Sequence, residues 1–326
     1  MISNKKILIF GGSGSLGNKI IERYIQNNLI VNYSRDECKH WQMSLQYKNN
    51  NLSFIIGDVR DFSRVETAIL REQPHIIIIA AALKHIDRCE YAIEECVKTN
   101  FNGPLNIVNA VEKNMDRLPT LECVVMVSTD KACEPTNVYG FSKALAESAV
   151  VEKSLHIHKI KFINVRYGNV LNSRGSIIPI LHNKGCDKNV KEFTLTHEDM
   201  TRFVMTLEQS VDLIEHGIIY GESGDTIIPK LISMKLFDLL NIFSKIYNKP
   251  IKITGIRPGE KLLESLISET QSMRVVSGSD DYLYIKPPYK NINNSIMKNY
   301  NSRINPLSEK ELKNFLDRHN LLTNYF

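Results

Sequence analysis

The chain has 326 residues, of which 43% are hydrophobic, 24% charged and 8% aromatic. This composition is typical of a globular protein with one large α/β domain or two units, and it excludes a disordered or collagen-like chain. The net charge of +5 is spread along the chain without a run of five like charges, so nucleic-acid binding is not supported.

The apolar runs are short. The longest, Ile76 to Leu83, has eight residues, whereas about 20 are needed to span a bilayer. The first residues enter a strand-like segment directly, without the apolar core of a signal peptide. The six cysteines form no C-x-x-C pair and no zinc-ligand spacing. We therefore expect a soluble, cytoplasmic protein with reduced thiols, no membrane association and no metal.

Through the first half of the chain, apolar runs alternate with helical patterns. This alternation predicts βαβ units and a parallel sheet, and runs that are apolar at every position predict strands covered on both faces. The predicted strands are KKILIF, LIVNYS, LSFIIGDV, HIIIIAAAL, CVVMVS and KFINVR. The predicted fold class is α/β, a doubly wound parallel (Rossmann) sheet with a smaller mixed α/β substrate-binding region.

The pattern changes after the last of these strands. Helices are predicted at Met200 to Glu215 and Leu236 to Tyr247, and Ser308 and Glu311 have the spacing of a capping box at a helix start. The predicted organisation is a mainly dinucleotide-binding domain, a mainly substrate-binding region with some interleaving, and a tail with a short helix: residues 1–167, 168–289 and 290–326.

A glycine-rich turn, Gly11-Gly12-Ser13-Gly14-Ser15-Leu16-Gly17, follows the first strand. Such a turn lets the backbone approach a pyrophosphate, with the anion at the helix N-terminus. A plain turn is the alternative, but the position within a βαβ unit favours dinucleotide binding. The predicted cofactor-binding residues of this turn are Gly11, Ser13, Gly14, Ser15, Leu16 and Gly17.

The residues after the second strand indicate which dinucleotide binds. Ser34, Arg35 and Lys39 favour the 2′-phosphate of NADP, although Asp36 leaves NAD open as the less favoured cofactor. After the third strand, Asp58 and Val59 are candidates for contacting the adenine. An ordinary aspartate at the end of a strand explains that position almost as well.

Tyr139 and Lys143 are four residues apart at the start of a helical pattern. They share a helix face, so the ammonium is expected to lower the pKa of the phenol from about 10 and make it a base near neutral pH. On an arbitrary helix such a pair is usually solvated. The upstream glycine turn and the strand ending in Val127-Ser128-Thr129 favour a catalytic pair.

These motifs resemble the extended short-chain dehydrogenase/reductases, and within them the soluble UDP-N-acetylglucosamine 4,6-dehydratases that invert carbon 5. Lys131 separates this group from dTDP-glucose dehydratases, which carry glutamate there, and Tyr139 separates it from membrane-bound retaining relatives, which carry methionine. The matching stretches, besides the glycine turn, are Ala80 to His85, Ser128 to Ala132, Pro135 to Lys143, Arg166 to Leu171, Gly255 to Lys261 and Tyr300 to Ser302.

The resemblance implies a lyase that uses NADP transiently and makes UDP-2-acetamido-2,6-dideoxy-β-L-arabino-hex-4-ulose for deoxy amino sugar and surface glycan synthesis. Tyr139 would take the 4-hydroxyl proton with support from Lys143. Lys131 would remove the carbon-5 proton, Asp130 would protonate the departing 6-hydroxyl, and Thr129 would orient the sugar. As a base, Lys131 needs a pKa well below about 10.4, lowered by burial or nearby cations such as Lys84. An ion pair between Asp130 and a surface lysine is the alternative.

The resemblance also implies the remaining contacts. It predicts UDP-N-acetylglucosamine as the partner and a homo-oligomer, either a dimer or a hexamer. A UDP-sugar 4-epimerase, a 5-retaining dehydratase and a non-catalytic NADP-binding sensor remain as alternatives. Further cofactor-binding residues are predicted at Ala80, Ala81, Ala82, Lys84, Tyr139 and Lys143. Substrate-binding residues are predicted at Lys84, Asn169, Arg202, Arg257 and Glu260.

Overall fold

The structure, a computed structural model, describes residues 2–257, 259–278, 281–292, 295 and 299–323. The strands are β1 Lys6–Phe10, β2 Leu29–Ser34, β3 Leu52–Ile56, β4 Ile76–Ile79, β5 Cys123–Val127, β6 Lys161–Val165, β7 Asn169–Val170, β8 Phe193–Leu195, β9 Thr201–Met205, β10 Thr226–Pro229, β11 Ile232–Lys235, β12 Ile251–Ile253, β13 Ser265–Ile267, β14 Val275–Ser277, β15 Tyr282–Ile285, β16 Tyr300–Asn301 and β17 Pro306–Leu307. The α-helices are α1 Ser15–Tyr24, α2 Glu37–Tyr47, α3 Phe62–Glu72, α4 Ile86–Tyr91, α5 Ile93–Val97, α6 Gly103–Lys113, α7 Val138–His156, α8 Ile177–Cys186, α9 Leu207–Tyr220, α10 Leu236–Tyr247, α11 Glu269–Ser272 and α12 Glu309–Arg318.

The main sheet has nine strands in the order β3-β2-β1-β4-β5-β6-β10-β15-β14. The strands from β3 to β10 run parallel, whereas β15 and β14 run antiparallel at one edge. The strand order reverses between β1 and β4, and ligands of such sheets bind at the carboxyl ends of the strands near this point. The predicted doubly wound α/β fold is confirmed.

Both faces of the sheet are covered, as its uniformly apolar strands require. Ile7 and Ile9 of β1 pack in a buried cluster with residues of α1 and α9. The alternate residues Leu8 and Phe10 belong to a second cluster with α3, α6 and α7. Because neighbouring side chains on a strand point to opposite faces, a single apolar strand contributes to both layers of the core.

The later part of the chain contributes to two sheets. Its strand β10 pairs with β6, which extends the main sheet, and β15 pairs with β10. A separate four-stranded sheet has the order β17-β11-β9-β7. This second sheet packs against α8, α10 and α12 around its own buried cluster.

One predicted helix is wrong in its first part. The prediction for Met200 to Glu215 spans a buried strand, β9, and the helix α9, which begins only at Leu207. Sheet pairing of β9 with β11 and β7 decides its conformation, and Thr206 then starts the helix with a capping box. The predicted helix Leu236–Tyr247 and the capping box at Ser308 are confirmed.

None of the six cysteines, all of which lie within the described residues, forms a disulfide. Over the described ranges, no helix is long and apolar enough to cross a bilayer.

Candidate active site

The glycine turn lies between β1 and α1 and is tightly packed. Gly11 has φ +95°, and a Cβ there would lie 2.6 Å from the backbone nitrogen of Ala81. A Cβ on Gly17 would lie 2.4 Å from Cα of Gly12. Gly14 is the N-cap of α1 and makes no side-chain cap, so no cap occupies the space where a phosphate would meet the first-turn N–H groups. The turn therefore fits a dinucleotide pyrophosphate.

Several polar side chains lie together at the end of β2, where cofactor-binding residues were predicted. Ser34 is buried with its Oγ 2.5 Å from Nε2 of His40. The half-exposed guanidinium of Arg35 lies 3.6 Å from Asp58. Asp36 caps α2 by accepting a hydrogen bond from the backbone N–H of Lys39 and also pairs with its ammonium at 2.7 Å. Its carboxylate is therefore already engaged within the protein.

Asp58 and its neighbour Val59 follow β3. Arg60 donates to Asp58 from Nε at 2.9 Å and from a terminal nitrogen at 2.6 Å. Burial opposes ionisation of this carboxyl, but the hydrogen bonds from Arg60 lower its pKa overall. Val59 is buried and packs closely against Gly103. A Cβ added to Gly103 would lie only 2.7 Å from Cγ2 of Val59.

After β4, Ala80 and Ala81 lie against Gly11, and Ala82 is exposed. Lys84 donates to Ser173 at 3.3 Å and to the carbonyl of Arg174. Burial lowers the pKa of Lys84, with a further contribution from the charge of Arg174. These contacts place Lys84 at the loop after β7.

Asp130 and Lys131 form a buried pair directly after β5. The Lys131 ammonium donates to Oδ1 of Asp130 at 2.8 Å and to Oδ1 of Asn169 at 3.1 Å. The Thr129 hydroxyl donates to the same Asp130 oxygen at 3.0 Å. Asp130 is fully buried, and Lys131 is 15% exposed. The predicted residues Thr129, Asp130, Lys131 and Asn169 thus form one hydrogen-bonded group.

The pKa of Lys131 differs from the expectation. Burial acts to lower it, but the charges of Asp130 and Glu264 outweigh burial and raise the pKa above 10.5. Lys84 was predicted to be a cation that lowers the pKa of Lys131. The cation that acts in this direction is instead Arg202. The free protein therefore holds Lys131 as an ammonium.

Tyr139 and Lys143 are both buried on the first turns of α7. Burial raises the pKa of Tyr139 to about 12, although the charge of Lys131 and the Thr129 hydroxyl oppose the rise. Lys143 donates to the carbonyl of Val127 at 2.6 Å, and burial lowers its pKa to about 8. The expected lowering of the phenol pKa by Lys143 is therefore not seen, because burial dominates.

Arg202, on β9, is buried and donates to backbone carbonyls of Thr201 at 2.8 Å and Lys261 at 2.9 Å. It thereby fixes the segment before β13. Arg257 is exposed, and its backbone N–H donates to the Glu260 carboxylate at 3.1 Å. Pro258, part of the same motif, lies outside the described residues.

Glu264 was not among the predicted site residues. This glutamate is 3% exposed, and its Oε1 lies 3.7 Å from the Lys131 ammonium. The available signal was an acidic residue three positions after Lys261, at the end of a motif already singled out. Within the described ranges, no group of three or more His, Cys, Asp or Glu is arranged to hold a metal ion.

Comparisons with known proteins agree with this architecture. A Campylobacter jejuni protein named UDP-N-acetylglucosamine 4,6-dehydratase (inverting) is 36% identical over 96% of this chain and 91% of its own length. A Rickettsia bellii protein named UDP-glucose 4-epimerase is 37% identical over 83% of this chain and 80% of its own. The X-ray structure of Pen from Bacillus thuringiensis matches with a TM-score of 0.89 and 30% identity over 98% of this chain and 99% of that one.

The resemblance inferred from the motifs is thus confirmed across nearly the whole chain. A family described as polysaccharide biosynthesis protein matches residues 7–286. This match spans the glycine turn, the Asp130–Lys131 pair, α7 and the Glu264 segment, and the chain belongs to that family.

Proposed function

We propose that the chain is an NADP-dependent UDP-N-acetylglucosamine 4,6-dehydratase that inverts carbon 5 and forms UDP-2-acetamido-2,6-dideoxy-β-L-arabino-hex-4-ulose. The observation that carries the proposal is the buried hydrogen bond of 2.8 Å between Lys131 and Asp130, next to Tyr139. Elimination of water across carbons 5 and 6 needs one base and one acid close together. The name of the Campylobacter jejuni relative supports this reaction.

The cofactor proposal rests on the turn after β1 and the residues after β2. The uncapped start of α1 suits a pyrophosphate. Arg35 is half exposed and Ser34 lies beside it, whereas Asp36 is engaged in capping α2. An arginine at this position accommodates a 2′-phosphate, and a free carboxylate would instead bind the ribose 2′-hydroxyl. This arrangement favours NADP over NAD.

Bound NADP would supply reversible hydride transfer to and from the sugar. Tyr139, as a phenolate, would accept the proton of the 4-hydroxyl, so that a ketone forms at carbon 4. Lys143 lies one helical turn further along α7 and would support that phenolate together with Lys131, whose charge acts to lower the pKa of Tyr139. The ketone then makes the proton on carbon 5 acidic enough for an amine to remove.

The elimination needs Lys131 as a neutral amine and Asp130 as a protonated acid. A single proton shift along their 2.8 Å hydrogen bond produces both forms. Because the pKa of Lys131 is raised, its proton must first pass to Asp130, which then gives it to the departing 6-hydroxyl so that this group leaves as water.

The direct test is proton NMR of the purified protein with NADP and UDP-N-acetylglucosamine in deuterated water. We expect a carbon-6 methyl signal, deuterium at carbon 5 and the carbon-5 coupling of the L-arabino product. D-xylo coupling would indicate a retaining dehydratase. Bound NADP with unchanged UDP-sugars would contradict the proposal and favour the sensor.

A UDP-sugar 4-epimerase is the second candidate, because the Rickettsia bellii relative carries an epimerase name at 37% identity. An epimerase needs Tyr139 and the cofactor but has no use for a buried acid and base at carbons 5 and 6. Interconversion of UDP-glucose and UDP-galactose without a methyl product, and its persistence in Lys131→Ala, would favour this candidate.

A further inference from the structure

Glu264 is fixed beside the Asp130–Lys131 pair by Ser302, a residue of the C-terminal tail. Its backbone N–H donates to Oγ of Ser302 at 3.0 Å, and its carbonyl accepts from the N–H of Ser302 at 2.8 Å. Ser302 is fully buried and also lies 2.7 Å from the hydroxyl of Thr201. The backbone of Glu264 is thus fixed by Ser302, which also joins it to Thr201 on β9.

The carboxylate of Glu264 faces cations without forming a close pair with any of them. Its oxygens lie 3.7 Å from Lys131, 3.8 Å from Lys261 and 4.0 Å from Arg202. Among the described residues its Oε2 accepts no hydrogen bond, although the side chain is only 3% exposed. A buried carboxylate with an unsatisfied oxygen is costly, so its presence calls for a role beyond packing.

The Lys131 ammonium has three N–H groups, and three acceptors surround it. Asp130 and Asn169 accept direct hydrogen bonds, and Glu264 is the third polar group, at 3.7 Å. Among the charged and titratable groups facing Lys131 are Asp130, Glu264, Arg202 and Tyr139. With the proton shifted from Lys131 to Asp130, the cations Arg202 and Lys261 would still face the carboxylate of Glu264.

We propose that Glu264 is a positioning residue that holds Lys131 at the end of β5 and sets the pH range over which Lys131 acts as a base. This inference rests on the proposed dehydratase function. Glu264 acts through Lys131 and Asp130 and does not itself touch the reacting carbons. Removal of its negative charge makes the ammonium easier to deprotonate, in agreement with the direction in which Glu264 acts on the pKa of Lys131.

The test compares Glu264→Gln, which keeps the shape, with Glu264→Asp, which keeps the charge. In Glu264→Gln we expect the pH profile of kcat/KM to move to lower pH by about one unit or more, a tenfold change in acid dissociation constant. KM at the optimum should change little. In Glu264→Asp the profile should stay near that of the wild type while kcat falls. Glu269→Gln, an exposed glutamate of the same segment, is the matched control and should behave as wild type.

A uniform loss of rate in Glu264→Gln without displacement of the profile would show a merely structural role and overturn the inference. A second measurement does not depend on turnover. Carbon NMR of the lysine Cε atoms, with Lys131 identified by loss of its signal in Lys131→Arg, reports its protonation directly. At the same pH near the ordinary lysine pKa of about 10.4, a smaller fraction of Lys131 should be charged in Glu264→Gln than in the wild type. Equal protonation in both proteins would refute the inference even if the wild type proves to be an epimerase.

Discussion

Replacing Glu147 with Gln should lower the free energy of unfolding by about 3 kcal/mol. Arg166 is among the largest fully buried side chains of the described residues, at 1% exposure. Glu147, on α7, accepts two hydrogen bonds from it, at 3.0 and 2.5 Å. The remaining contacts of the guanidinium are the carbonyl of Leu266 at 2.8 Å and Gln271 at 2.9 Å. The pair therefore joins the helix of Tyr139 to the segment after Glu264.

The magnitude follows from the burial of the cation. Removing one partner of a buried ion pair costs about 3–5 kcal/mol, because the other charge is left uncompensated. The glutamine oxygen of Glu147→Gln can keep one of the two hydrogen bonds, which places the expected loss at the lower end. Because Glu147 is buried and closely paired with Arg166, removing its charge without loss of volume should cause a large fall in the free energy of unfolding.

The assay is guanidinium chloride unfolding followed by circular dichroism. Glu152→Gln is the matched control, since Glu152 is exposed on the same helix and its replacement should change stability by less than about 0.5 kcal/mol. The double variant Glu147→Leu with Arg166→Met should recover part of the loss, because no unpaired charge remains. A loss below about 1 kcal/mol in Glu147→Gln would refute the view that this pair balances a fully desolvated charge.

Three further predictions concern the site. Lys143→Met should stabilise the protein at neutral pH by about 2 kcal/mol. The reason is that the free-energy cost corresponding to the drop of the Lys143 pKa from 10.5 to about 8 is larger than the free energy that its hydrogen bond contributes. The unfolded chain binds more protons between these values, so wild-type stability should rise from pH 8 to 10.5 and the variant should lack this rise in thermal unfolding. Lys131→Ala should keep NADP binding by calorimetry but form no methyl product, and near-normal turnover would exclude Lys131 as the base. Arg35→Ala should weaken NADP binding about tenfold with NAD binding unchanged, and equal losses for both would contradict its assignment to the 2′-phosphate.

The local structure around the glycine turn could be predicted from the sequence. The first strands of the chain are apolar on both faces, and such strands are buried in a parallel sheet that helices cover on both sides. Gly17 is required by its close backbone contact with Gly12 inside the turn, and the pair Tyr139 and Lys143 shares a helix face by its spacing alone. These features depend on contacts between residues near in sequence or on a repeating pattern.

Tertiary contacts decided the features that depend on distant residues. Residues 201–205 form β9 because β11 and β7 pair with them, and their apolar pattern alone is ambiguous between strand and helix. Glu264 reaches Lys131 only because Ser302 and Arg202 fix its segment. The pKa of Lys131 is raised by Asp130 together with that carboxylate. It therefore depends on all the charged groups that surround Lys131 in the folded protein. Spacing along a chain fixes neighbours on one element, whereas the charge state of a buried amine depends on every group that folding brings around it.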